Sequence, residues 1–383
     1  MKCKVYVEAH NIISPLGLTS DVNFTNLEKG KSSIIEHDNI LYDDEKFWAS
    51  ILQETTQLKI EEKDQQFGHF SKFEQLLICS IQTALESSNI NPTDKDVIII
   101  VSTTKGNINL LKKEEKRSDE LVNRISLSQS AQLICNKFKN PNKPIVISNA
   151  CISGVAAILY GKRILDLGHY KNAIIVGADC VGQFIFSGFK SFRALSDSMC
   201  KPFSIDRNGI NLGEAVATII LTTQAQNNNN IEICSGAITN DANHISGPSR
   251  TGKELSKAIR LTLNASNLLS EDVDFISAHG TATIFNDEME ANAYHLSEMD
   301  NIPVNSLKAY FGHTLGASGI LESVISILSL EKGVIIPTHG FTTHGTTNPI
   351  NICEKPIYKP LNTFIKTASG FGGCNGSILF SKG

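Results

Sequence analysis

Four stretches of the chain hold side chains suited to chemistry. In the first, Ser148-Asn149-Ala150-Cys151-Ile152-Ser153-Gly154, a cysteine falls between a β-branched run and a helix of small residues. Backbone N–H groups at a helix start favour negative charge, so a thiol there is expected to ionise more easily and attack as a thiolate. The second is Ala278-His279-Gly280-Thr281-Ala282-Thr283, with Asn286 and Asp287 close behind. His279 follows an apolar strand, and α/β sites gather at such strand ends. The third runs over 305–319 and sets Lys308 five residues before His313, ahead of a helix in which Glu322, expected three turns in, can pair with Lys308. The fourth, Ser369-Gly370-Phe371-Gly372-Gly373-Cys374-Asn375, is a turn able to expose backbone N–H groups. It lacks the spacing and the lysine of a phosphate-binding loop. Taken singly, each stretch also has a structural reading, such as a small buried thiol or a core histidine.

The segments around these residues alternate between strand and helix patterns. Residues 97–102, 145–148 and 173–176 are continuous β-branched runs, as in strands buried on both faces. A helix over 153–167 separates the last two and stops at Gly168. Further strands are expected over 215–222, 231–237 and 273–276. The tract Gln226-Asn227-Asn228-Asn229-Asn230 reads as a hairpin or inter-strand loop. Cys151 and His313 each follow a strand and open a Gly- and Ala-rich helix that ends in glycine and leads into a β-branched run, AIIV and VIIP respectively. Recurrence at a spacing of about 150 residues suggests a duplicated α/β unit. The expected division is 1–225, carrying Cys151, and 226–383, carrying the two histidines.

Composition narrows the function class. A length of 383 residues with 41% apolar and 19% charged residues suits a large folded core rather than disorder. The balance of 35 basic and 39 acidic residues shows no basic excess of the kind nucleic-acid binding would need. No apolar run spans a membrane, and the first residues do not read as a signal peptide, so a cytoplasmic location is expected. The nine cysteines include no C-x-x-C pair, which fits free thiols in a reducing compartment and predicts no metal site.

Together the four stretches, in this order, closely resemble the β-ketoacyl-acyl-carrier-protein synthases, condensing enzymes of the thiolase fold. The matching blocks are NACISG, AHGTAT with Asn286-Asp287, NSLKAYFGHTLGASG and GFGGCNGS, and weaker matches cover nearly the whole chain. The resemblance implies a duplicated, five-layered α-β-α-β-α core. It implies that Cys151 takes the acyl group as a thioester and that His279 and His313 assist decarboxylation of malonyl-carrier protein. Lys308 and Glu322 match the family's lysine and supporting glutamate. Phe371 matches the gate, whose N–H joins that of Cys151 as an oxyanion hole, while Thr281 and Thr283 match the phosphopantetheine contacts. The implied reaction is decarboxylative condensation to a 3-oxoacyl-carrier protein. No cofactor is implied beyond the phosphopantetheine of an acyl carrier protein, and the chain would form a homodimer or pair with a ketosynthase-like partner subunit. A thiolase would place its second cysteine before the glycines, whereas Cys374 follows them.

Departures from the family pattern bear on pathway. The region 111–131 is short and carries Lys112-Lys113-Glu114-Glu115-Lys116-Arg117, expected to be a solvated helix or loop. Residues 65–73 are poor in the basic residues that dock an acidic carrier, which leaves Lys190 and Arg193 as candidates. Ser369 stands where relatives usually have Phe, and the opening 5–17 is degenerate. These features favour a dedicated aryl polyene or polyketide-like pathway over general fatty-acid elongation. A non-catalytic chain-length partner is the remote alternative, because such partners usually replace the cysteine.

Overall fold

In the computed structural model, residues 3–38, 46–53, 67–111, 118–224, 230–243 and 245–383 are described. Lys112–Arg117, Gln226–Asn229 and part of the 65–73 stretch lie outside them. Ten strands form one sheet: β1 (Tyr6–Ile13), β2 (Val97–Ser102), β3 (Ile145–Ile147), β4 (Asn172–Asp179), β5 (Ala215–Thr222), β6 (Ile231–Asn240), β7 (Phe275–Ser277), β8 (Val304–Asn305), β9 (Thr363–Gly370) and β10 (Cys374–Lys382). Among the described residues the helices are α1 (Ser20–Glu28), α2 (Lys72–Glu86), α3 (Asp119–Ile125), α4 (Leu127–Lys137), α5 (Ser153–Asp166), α6 (Gln183–Ser191), α7 (Lys253–Ala265), α8 (Ile284–Leu296), α9 (Lys308–Phe311) and α10 (Ser318–Lys332).

The sheet order is β8-β7-β9-β10-β6-β1-β5-β4-β2-β3. Each set of five strands repeats one pattern, with its third, second, fourth, fifth and first strands side by side. Within each set the second, third and fourth strands are parallel and the fifth runs antiparallel. Cys151 and His313 follow the third strands of their sets, so their loops occupy equivalent places. The equivalence proposed for AIIV and VIIP is corrected here. Val334–Ile335 pairs with Ile357–Tyr358 outside the main sheet, and the counterpart of β4 is β9. The hairpin reading of 226–230 also falls, because β1 lies between β5 and β6.

Alternation along the strands explains the layers. In β2, Ile98 and Ile100 face a central core, while Val97, Ile99 and Val101 face an outer one built with α2 and α4. In β10, Ile378 and Phe380 face the central core and Leu379 faces a third cluster with α7 and α8. Both five-stranded halves of the sheet face the central core, which encloses α5 and α10, so each half counts as one layer and the five run in the order helix, sheet, helix, sheet, helix. Among the described residues no helix is long and apolar enough to cross a membrane.

The two central helices meet at glycines in their first turns. A Cβ on Gly154 would lie 2.8 Å from the Ile320 nitrogen, and one on Gly319 would lie 2.4 Å from the Val155 nitrogen. Backbone stands against backbone, and neither side has a flexible end that can yield. Alanine at either position gains up to about 1 kcal/mol of helix propensity. The overpacking outweighs that gain, at about 1–3 kcal/mol. Gly319→Ala is therefore expected to lower stability in urea unfolding, and a midpoint at or above that of the parent chain would contradict this contact.

Candidate active site

Three loops converge where the strands end. Ala150, at φ 44°, turns the chain out of β3, and Cys151 follows it. The turn is held by Ser153, whose Oγ accepts the Asn149 N–H at 2.8 Å and donates to the Ala150 carbonyl at 2.6 Å. Gly370 lets the opposite wall close in, since a Cβ there would lie 3.1 Å from the Cys151 nitrogen. Gly372 and Gly373, both at positive φ, then return the chain into β10 and leave Phe371 at the tip. Phe371 packs against Phe189 and Phe192 at centroid distances of 5.6 and 5.2 Å.

Cys151 Sγ and one ring nitrogen from each of His279 and His313 all lie within 4.8 Å of one another, and all three residues are buried. The imidazoles meet edge to face at 5.2 Å. Among the described residues, both ring nitrogens of His313 are buried without a hydrogen-bond partner. Leaving buried polar atoms unpaired costs free energy, so they mark where a substrate atom can sit. Burial, then Lys308, holds both imidazoles well below the usual histidine range, with Lys366 acting in the same direction. They are neutral at pH 7 and each can donate one N–H.

The thiol differs from the sequence expectation. Burial pushes Cys151 above the ordinary thiol value, while Lys105, Lys308 and the Phe371 backbone N–H pull it down. The helix proper begins two residues later, at Ser153, and a side chain that is 6% exposed loses most of its hydration. Cys135, by contrast, is pushed up to about 12 by burial with no opposing group.

Behind the imidazoles lies a buried charge cluster. Lys308 Nζ donates to Ser318 Oγ at 3.0 Å and to Glu322, and Glu322 also faces Lys366 at 2.5 Å. Glu322 lies in the second turn of α10, one turn earlier than expected. The two lysines hold its carboxyl below the usual range against the penalty of burial.

The sequence reading missed three anchors. Glu290 accepts the N–H groups of His279 and Gly280 at 2.8 and 2.6 Å. Asp179 accepts the Gly316 N–H and the Thr103 hydroxyl, tying β4 and β2 to the His313 loop. Lys366 donates to the carbonyls of Ser277 and Ala278. The signal for Lys366 was a lone lysine in the apolar strand TFIKTASG. Asp287, which the sequence did single out, is pushed up to about 7 by burial and accepts the Thr281 N–H at 3.0 Å.

A cleft opens from Cys151 past both histidines. Thr281 and Thr283 line it and share a hydroxyl contact of 2.8 Å. Ser369, also in the wall, spends its hydroxyl on Asn375 at 2.7 Å. Cysteine and two histidines are zinc-ligand types. However, the side-chain charges acting on the imidazoles are those of Lys308, Lys366 and, for His313, Lys105. A field of that sign opposes a dication and favours a thiolate or an oxyanion.

Among the described residues Cys3 is the exposed cysteine, whereas Cys151 is reached through the cleft. A small reagent such as iodoacetamide is expected to label Cys3 first. An electrophile on an acyl chain, of the cerulenin type, is expected to label Cys151 first. Peptide mass spectrometry reads both, and acyl-chain labelling falling mainly on Cys180 or Cys374 would refute the cleft as the entry route.

Residues 2–227 match the family model described as Beta-ketoacyl synthase, N-terminal domain, and residues 231–342 match Beta-ketoacyl synthase, C-terminal domain. The chain is 28% identical to the 3-oxoacyl-[acyl-carrier-protein] synthase 2 of Synechocystis sp., with 100% of this chain and 98% of the relative covered. Its fold is that of the ishigamide ketosynthase/chain length factor, with a TM-score of 0.87 at 23% identity over 100% of this chain and 99% of that one. It also matches a type II polyketide ketosynthase, bound to the hexaketide and in complex with its acyl-carrier protein, at a TM-score of 0.86 and 21% identity over 100% of both chains. The two matched models cover most of the sequence and meet the geometry described above: the chain belongs to the beta-ketoacyl synthase family of condensing acyltransferases and has its thiolase-like fold.

Proposed function

We propose that this chain catalyses decarboxylative condensation of an acyl thioester with malonyl-acyl-carrier protein. The observation that carries the reading is the convergence of Cys151, His279 and His313 within 4.8 Å, with both His313 nitrogens unpartnered among the described residues. In the first step Cys151 gives up its thiol proton, its sulfur attacks the primer's carbonyl carbon, the C–S bond to the carrier breaks, and the departing carrier sulfur takes up the proton as its thiol. The N–H groups of Cys151 and Phe371 hold the oxyanion, and Phe371 gates the entrance. In the second step the malonyl C–C bond breaks and CO₂ departs. Its electron pair passes to the α-carbon and thioester oxygen, and the N–H groups of His279 and His313 stabilise the enolate. The α-carbon then attacks the Cys151 thioester, the C–S bond breaks, and the 3-oxoacyl product leaves on the carrier. Lys308 and Glu322 support the histidines, while Thr281 and Thr283 contact the phosphopantetheine arm.

The proposal draws on no metal and no cofactor beyond that arm. It keeps the division into halves at 1–225 and 226–383, and it places the reaction in the cytoplasm, where free thiols persist. The partners are an acyl carrier protein and a second subunit, either identical or ketosynthase-like. The likeness to a ketosynthase/chain length factor supports the second form. Lys72, in the stretch expected to be poor in docking cations, pairs with Glu214 at 2.7 Å. Lys190 and Arg193 are exposed and remain the proposed docking cations.

The histidines are proposed to serve only the second step, so His279→Ala and His313→Ala should still accept an acyl group on Cys151. Removing one such donor typically costs about 2.7–4 kcal/mol, or roughly 100–1000-fold in rate. Trapped acyl-enzyme and released CO₂ are measured in parallel, and a double variant that releases CO₂ at the parent rate would sink the assignment.

We further propose a dedicated aryl polyene or polyketide-like pathway. Ser369 replaces a bulky side chain in the cleft wall, and a rigid unsaturated chain needs room there. A saturated chain gains about 0.8 kcal/mol per buried CH₂ from a snug apolar channel. General elongation is the second reading, favoured by the full-length likeness to the Synechocystis synthase. In competition for Cys151, polyenoyl-carriers are expected to acylate faster than saturated medium-chain carriers, and the reverse order would assign the chain to general fatty-acid elongation.

A further inference from the structure

We infer that Lys366 is a positioning residue for the decarboxylation step, linking the loop of His279 to the helix that supports His313. This rests on the condensation reading above. Lys366 lies in β9 and is fully buried. Its Nζ is 3.1 and 2.9 Å from the carbonyls of Ser277 and Ala278, the residues immediately before His279. Its third neighbour is the Glu322 carboxylate at 2.5 Å, whose other oxygen holds Lys308. An ammonium has three N–H donors, and three oxygens surround this one. Burial lowers the affinity of Lys366 for its proton, and Lys308 lowers it further, while Glu322 and Glu290 oppose both. The three oxygens favour the charged form.

The arrangement has two consequences. The first is geometric: Glu322 touches Lys308 on one side and Lys366 on the other, so the two histidine loops are tied through one carboxylate. The second is electrostatic. The groups acting on His279 are Lys308, His313 and Lys366, and those acting on His313 are Lys308, Lys105 and Lys366. With Lys366 removed, Glu322 would balance Lys308 alone, and both imidazoles would bind a proton more readily.

The test uses the full chain with Lys366→Met, which removes both the charge and the donors, and Lys366→Gln, which keeps amide donors without the charge. Folding is checked by circular dichroism. Three quantities are read: acyl transfer to Cys151, CO₂ release from malonyl-carrier, and titration of the site imidazoles by ¹⁵N NMR. Acyl transfer is expected to stay near the parent rate. CO₂ release should fall about 10–100-fold, the size typical of partners that hold a ligand from behind. The imidazoles should titrate on the order of one pH unit higher in both variants, because a nearby cation is lost. The inference is overturned if a folded variant releases CO₂ at the parent rate, if its imidazoles do not move, or if acyl transfer and CO₂ release fall equally. Should Lys366→Met not fold, the Lys366→Gln titration decides alone. A parent chain that takes an acyl group but releases no CO₂ would mean that the condensation reading itself had failed, independently of Lys366.

Discussion

Two helices touching without side chains between them set the distance on which the rest of the site depends. Gly154 and Gly319 sit in the first turns of α5 and α10, and the backbones approach where any Cβ would collide. Cys151 lies just ahead of one helix and His313 just ahead of the other. Close approach of the helices therefore becomes close approach of the thiol and the imidazole. The wide sheet then serves as a wall on both sides of this pair, and its outer helices bury the remaining apolar faces.

The duplicated topology explains why these groups can face each other at all. A loop after a third strand in one set of five meets the corresponding loop of the other set. His279 comes from the end of a second strand and Phe371 from the end of a fourth, so the site draws on three strand ends from one set and one from the other. Buried acids fix two of the contributing loops: Glu290 and Asp287 lie beneath the loop after β7, and Asp179 ties Gly316, in the His313 loop, to the residues after β2. These acids bind backbone N–H groups, a job for which only position matters.

That difference accounts for what the sequence revealed. The strands over 97–102 and 215–222 were legible because β-branched runs buried on both faces leave an unbroken apolar pattern. Cys151, His279, His313 and Lys308 were legible because glycines and small residues crowd around them. Glu290, Asp179 and Lys366 were not, because an isolated charge inside a helix or strand carries no local pattern that names its distant partner. The VIIP comparison failed for a related reason. A short apolar run shows that a strand forms but not which neighbour it pairs with, and the true counterpart of β4 begins about 30 residues later, at Thr363, beyond a long excursion.

The same physics settles why a site built for negative charge keeps its imidazoles uncharged. Burying a lone ammonium is costly, and two close together repel each other. Glu322 between Lys308 and Lys366 removes most of that repulsion and remains ionised because both cations hold it so. What remains is a cation-rich wall that disfavours a proton on either histidine and favours electron density in front of them. A neutral imidazole offers an N–H without adding a further positive charge to neutralise, and a buried N–H acts more strongly than one in water. Charge that develops on a substrate oxygen would then meet donors already in place.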